Sequence, residues 1–195
     1  MAAANSKQSI GFVSFNMHGF NQGKVVIDDL IKSQLPDLFM LQEHWLTPAN
    51  MHKFEDSFSE YFLIGRSAMT ERVESGMLFG RPFGGVAFLV HNRLRSITTT
   101  INCDDRYAIV KIASYIFICV YLPCSGTKDR PLLYEEILTD LWMWREQYPE
   151  CECVIAGDFN TELSCSDEAA SIVNQFIDMH KLCRCDELFP GALYK

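Results

Sequence analysis

Short apolar runs alternate along the chain with segments whose apolar residues return every three or four positions, and no low-complexity linker interrupts the alternation. The runs predict strands over Ile10–Phe15, Asp37–Gln42, Tyr61–Gly65, Gly85–His91, Arg95–Ile101, Tyr107–Ala113, Tyr115–Leu122 and Glu152–Ala156. The wider spacing predicts helices over Lys24–Leu35, closed by Pro36, over Arg130–Tyr148, and over a last segment where Ile172, Val173, Phe176 and Ile177 share a face. Asp167 and Glu168 in its first turn suit the positive end of a helix dipole. Asp37–Gln42 is mostly apolar, as a strand buried on both faces would be. The five consecutive strands from Tyr61 onward suggest an antiparallel meander, reached through a polar stretch around Met51–Glu60. One sheet with so many strands would leave a face bare, so the expected fold is an α/β, four-layer α/β sandwich of two packed sheets with helices outside.

A chain of 195 residues fits one domain, expected over residues 10–195 behind a disordered tail at 1–9. Its 12% aromatic content excludes wholesale disorder. The longest apolar runs, Tyr115–Leu122 and Gly85–Val90, fall far short of the ~20 residues that cross a bilayer, so no membrane partner is expected. Met1–Ser9 lacks the apolar core of a secretory signal, which points to an intracellular protein, nuclear or cytoplasmic and not secreted. In that reducing setting Cys119 and Cys153, inside apolar runs, act as small hydrophobes, and Cys151-x-Cys153 and Cys183-x-Cys185 lack the gap of a zinc knuckle. The net charge of −8 argues against a phosphate backbone as partner, but it is unevenly spread. Nine basic and five acidic residues between Arg66 and Arg130 make that segment +4 and leave −12 elsewhere. A positive face beside a negative site would hold a phosphate and a divalent cation together; solvated loop and edge-strand charges would give the same count.

Polar residues at the ends of otherwise apolar strands carry the candidate chemistry, because such ends open onto the crevices where α/β proteins bind ligands. Four strands end this way: in Asn16-Met17-His18-Gly19, in Gln42-Glu43-His44-Trp45, in Tyr121-Leu122-Pro123-Cys124, and in Gly157-Asp158-Phe159-Asn160. Brought together, they would surround one spot with two carboxylates, two amides and a phenol, a donor set suited to a hard divalent cation and a phosphate. Taken one at a time, Asp158 and Asn160 are turn formers and Glu43 is a strand-end charge. His18 and His44 fit loop-lining or structural places better than general acids. Trp142 and Trp144 fit a helix face better than a base-stacking platform.

In Asn16-x-x-Gly19, Leu41-Gln42-Glu43, Tyr121-x-Pro123 and Gly157-Asp158-Phe159-Asn160, taken in that order, the chain resembles the endonuclease/exonuclease/phosphatase superfamily, whose fold is DNase I-like. Within it, Gln42–Leu46 and Gly80–Val90 look like the AP-endonuclease-type domain of LINE-type (non-LTR) retrotransposons. The resemblance implies a Mg²⁺-dependent phosphodiesterase, with Mn²⁺ able to stand in, acting as a DNA-nicking endonuclease beside a reverse transcriptase domain in a parent polyprotein. It assigns the metal to Glu43 and Asn16, the attacking water to Asp158, the fixing of Asp158 and phosphate to Asn160, and a hydrogen bond to phosphate to Tyr121. His18 stands where AP endonucleases carry an acidic metal ligand, and Cys124 where many relatives carry Asn. The family's closing Ser-Asp-His is absent from the 195 residues. By this resemblance the chain is expected to be C-terminally truncated, missing its last strands, and weak or inactive. A phosphoesterase acting on inositol phosphate, lipid or RNA, and a non-catalytic remnant that serves as an interaction domain, are the alternatives.

Overall fold

The computed structural model describes residues 9–76 and 80–185; the tail expected at 1–9 lies outside the described residues except for Ser9. The described chain forms two compact units, one reaching to Tyr121 and including Arg145–Asp158, the other made of Leu122–Trp144 and the residues from Phe159 onward. No helix among the described residues is long and apolar enough to cross a membrane.

The first unit is built on two four-stranded sheets. In one, β1 (Phe12–Asn16) runs parallel to β2 (Leu38–Gln42), which pairs antiparallel with β4 (Val86–His91), and β3 (Tyr61–Arg66) closes the order β1-β2-β4-β3. In the other, β5 (Thr98–Cys103), β6 (Tyr107–Ile112) and β7 (Tyr115–Tyr121) form an antiparallel meander, and β8 (Glu152–Asp158) runs parallel to β7. Both sheets are therefore mixed. All five residues of β2 are buried because its two faces serve different cores. Leu38 and Met40 join Phe88, Val110, Phe117 and Cys119 between the sheets, while Phe39 and Leu41 join Ile27 and Phe54 on the helix side. Those helix residues belong to α1 (Phe20–Gln34) and α2 (Lys53–Ser57), which cover the outer face of the first sheet. In the second unit, α4 (Arg130–Glu146), which belongs to it as far as Trp144, and α5 (Glu168–Met179) meet through Trp142, whose indole stacks on His180 at 3.5 Å and meets Phe176 edge-on. Asp167 caps α5 by accepting the Ala170 amide at 2.7 Å.

Several predicted boundaries shift for identifiable reasons. Helix α1 begins at Phe20, a turn earlier than its apolar spacing suggests, because Gly19, Asn21 and Gly23 mask its start. Gly23 is there for packing: a Cβ would come within 2.6 Å of the Met17 side chain. The polar stretch around Met51–Glu60 contains α2, pinned by fully buried Phe54. A further short helix, α3 (Thr70–Glu74), precedes β4. The strand expected over Arg95–Ile101 starts only at Thr98, because Asn92–Ile97 winds into a 3₁₀ turn around buried Leu94. Arg93 in that turn is tied to Asp37 at 2.6 Å, and Arg95 lies over the Phe62 ring at 4.1 Å. The strand-rich block is not one meander, since β3 and β4 belong to the first sheet and only β5–β7 run consecutively in the second. Part of the basic segment is likewise structural: Arg93 pairs with Asp37, and Lys111 pairs with Glu150.

Candidate active site

Both parallel strand pairs in the first unit end in polar residues, and those ends meet. Asn16 closes β1, Glu43 follows β2, and Asp158 closes β8. The Asn16 amide nitrogen donates to Glu43 Oε1 at 3.1 Å and to Asp158 Oδ2 at 2.8 Å, linking two carboxylates that are 115 residues apart in sequence. The Asn16 oxygen accepts the His18 amide at 3.0 Å. Asn16 therefore turns its donor toward the carboxylates, and the oxygen a cation would need is the one engaged by His18. His18 Nδ1 lies 3.8 Å from Glu43 Oε2. Tyr121 is the register partner of Asp158 across β7 and β8; its amide donates to the Arg106 carbonyl at 2.8 Å, and the Arg106 guanidinium lies 5.4 Å from its ring centre.

Three loops that interlock through their backbones hold Glu43. The Glu43 amide donates to the Gly85 carbonyl (2.9 Å) and the Trp45 amide to the Gly84 carbonyl (3.1 Å). In turn the Glu43 and His44 carbonyls accept the Gly19 and Phe20 amides at 2.8 and 2.9 Å. His18, Glu43 and Trp45 all sit at positive φ (51°, 55° and 54°), a conformation side chains of this size adopt only where the surroundings over-determine it. Buried His44 is the wedge between them. Its Nδ1 accepts the Leu46 amide at 3.0 Å, its Nε2 lies 3.2 Å from the Arg66 carbonyl, and its ring meets Phe54 edge-on. Those partners require the neutral ring protonated on Nε2. Gly85 has to be glycine, since a Cβ there would fall 2.3 Å from the His44 ring at φ 88°.

Burial pushes the His44 pKa down to about 4 from its ordinary 6.5. The folded state thus binds this proton less readily than the unfolded chain. The stability it contributes is whole above pH 6.5 and is lost as pH falls toward 4. In metal-free buffer, urea unfolding is expected to show a loss of up to about 3 kcal/mol over that window. His44→Gln, which takes up no proton, is expected to flatten the slope; an unchanged slope would place the lost stability elsewhere.

Asn160 belongs to the second unit. At φ 49°, its amide nitrogen donates to the Leu122 carbonyl at 2.8 Å, and its own carbonyl accepts from Arg130 at 2.7 Å. Arg130 also donates to the Pro123 carbonyl and to the Tyr134 hydroxyl, which lies 2.6 Å from the Phe159 carbonyl. In the sequence Arg130 offers a positive charge and the start of a helix but no sign of these contacts, and Arg106 offers a positive charge alone. For Gly84 and Gly85 the available signal is two consecutive glycines before a buried strand.

The two carboxylates that the Asn16 amide bridges, Glu43 and Asp158, offer oxygen donors. Among the described residues no three His, Cys, Asp or Glu side chains gather into a ready cage. Mg²⁺ needs none, because it keeps several waters and is held by one or two carboxylates with substrate phosphate, so the pair fits such an ion.

Two packed mixed sheets, the first covered on its outer face by α1 and α2, with polar strand ends that meet, define the DNase I-like class of α/β sandwich. Residues 13–169 match the model of the Endonuclease/Exonuclease/phosphatase family, and the chain belongs to that family. It is similar in fold to AP endonuclease LMAP from Leishmania major, with a TM-score of 0.67 and 14% identity over 95% of this chain and 72% of that one. A 3′ phosphatase, NExo, from Neisseria, solved with a product DNA hairpin, gives 0.63 and 15% over 88% and 71%. An AP endonuclease from Archaeoglobus fulgidus gives 0.60 and 13% over the same shares. No curated protein sequence matches this one.

Proposed function

We propose that the chain is a Mg²⁺-dependent phosphodiesterase that nicks DNA, with Mn²⁺ able to replace Mg²⁺. The observation that carries this reading is the Asn16 bridge, which holds Glu43 and Asp158 together at the ends of strands from both sheets. Glu43 would hold the cation, presented by its strained backbone. Asn16 sets the separation of the two carboxylates. Asp158 would take the proton of the attacking water, and Tyr121 would donate to a phosphate oxygen. Asn160, fixed by Leu122 and Arg130, would serve the phosphate as its motif implies. A bound divalent ion supplies a positive charge for the developing charge on the phosphate.

Membership in the family and the fold it shares with DNA-processing relatives support the reaction class. The stretches Gln42–Leu46 and Gly80–Val90 support an origin in a LINE-type retrotransposon, where a reverse transcriptase domain would be the partner in the parent polyprotein. The test is nicking of supercoiled plasmid: conversion to open circles in Mg²⁺ that stops in EDTA supports the reading. Conversion at the same rate in both would contradict it.

A further inference from the structure

Beside the Glu43 loop the first unit carries a cavity of about 410 Å³, within the usual size of small-ligand sites. Its wall nearest the carboxylates is His18, 3.8 Å from Glu43. Trp45 lines it as well. That indole is half-buried, with one part pressed on Gly19, where a Cβ would come within 2.7 Å of the ring. The His18 ring stands 5.6 Å from it at 43°. An indole in an ordinary core position has no need of a backbone at φ 54°; here the strained turn fixes where the ring points, and it lines an open cavity.

The rest of the cavity is suited to an anion. Exposed Lys53 and Arg81 stand on its rim. Asn21 and Gln22, in the first turn of the 15-residue helix α1, line it too, and that turn has neither an acidic residue nor a side-chain cap to offset its positive end. Aromatic surface and anion-binding groups side by side, in a space of this volume, match one nucleotide: a base for the indole and a phosphate for the cations. A base within a duplex has both faces covered by its neighbours, so only a nucleotide out of the stack can use such a cavity.

We propose that this cavity is a nucleotide subsite in which an unpaired base of a DNA strand stacks on Trp45 while its phosphate meets Lys53, Arg81 and the start of α1. The chain thereby favours DNA that is unpaired beside the cleaved bond over continuous duplex. This deepens the nuclease reading and rests on it for the position of the cleaved bond, but the binding itself requires no cleavage.

The test is fluorescence anisotropy in EDTA at low salt, with three labelled DNA probes of one length: a single strand, the same strand with abasic positions at its centre, and the duplex. Trp45→Ala is expected to weaken binding of the intact single strand about tenfold, within the range for removing a base-stacking aromatic. It should leave the abasic strand and the duplex nearly unchanged, and Trp45→Phe should restore most of the loss. Equal loss on all three probes would make Trp45 a structural residue and overturn the proposal. So would no loss at all, or no binding of the single strand by the wild-type chain. Plasmid nicking is scored separately: a Trp45 effect that needs the bases, without Mg²⁺-dependent nicking, would retire the nuclease reading and leave the subsite standing. Nicking without that effect would do the reverse.

Discussion

Asp158→Asn is expected to lower Mg²⁺-dependent plasmid nicking by about 10²–10⁴-fold, the usual cost of removing a group that moves the proton. The substitution is chosen because Asn keeps an oxygen to accept the Asn16 amide, now at 2.8 Å from Asp158, and loses only the charge and the basicity. Melting temperature should therefore move little while the rate falls. Glu43→Gln is the companion variant: it too preserves the Asn16 contact, but it removes the charge expected to hold the cation. The two should differ in one respect. Raising Mg²⁺ is expected to recover part of the rate for Glu43→Gln and none for Asp158→Asn. Nicking by Asp158→Asn at the wild-type rate would mean that another group activates the water.

Gly157→Ala is expected to be the most damaging glycine-to-alanine change among the described residues. Gly157 faces Val120 across the parallel β7·β8 pair, at φ 152°, and a Cβ there would lie 1.9 Å from the Val120 carbonyl oxygen. The obstacle is backbone within the ladder, one pair from its end, so relief requires the strands to part there. A loss of about 3 kcal/mol or more follows, at or above the upper end for overpacking. Because Asp158 is the next residue, the nicking rate should fall even at temperatures where the variant remains folded. Urea unfolding read beside the nicking rate separates the two effects. A variant with wild-type stability would show that the strands tolerate a wider spacing than the structure has.

The strands that end in chemistry were legible because each is a short apolar run closed by a polar cluster. Even the start of the last helix could be read to within a residue, from Asp167 and Glu168 placed before an apolar face; that Asp167 is its cap shows only in the fold. What could not be read was local structure held by distant partners. The 3₁₀ turn at Asn92–Ile97 depends on Asp37, just before β2, and on Phe62 in β3, both distant in sequence, so the local run of residues gave no sign of it. The early start of α1 depends on Gly23 fitting against Met17. At the site, residue types and their order pointed to Asn16, Glu43 and Asp158, but which atom of Asn16 faces the carboxylates is decided by the His18 amide taking its oxygen. The two glycines before β4 could be noted as a motif; their reason, the buried His44 ring and the Glu43 and Trp45 amides, exists only after folding.

A divalent cation is expected where Asn16 bridges Glu43 and Asp158, and paramagnetic relaxation by Mn²⁺ reports that position directly. In amide-resolved NMR spectra of the 195-residue chain, substoichiometric Mn²⁺ is expected to broaden the signals of Met17, Glu43, Gly157 and Asp158 first, and Mg²⁺ added in excess should restore them. Broadening that begins instead on the exposed acidic face of α4, at Glu135, Glu136 and Asp140, or no selective broadening at all, would contradict the account.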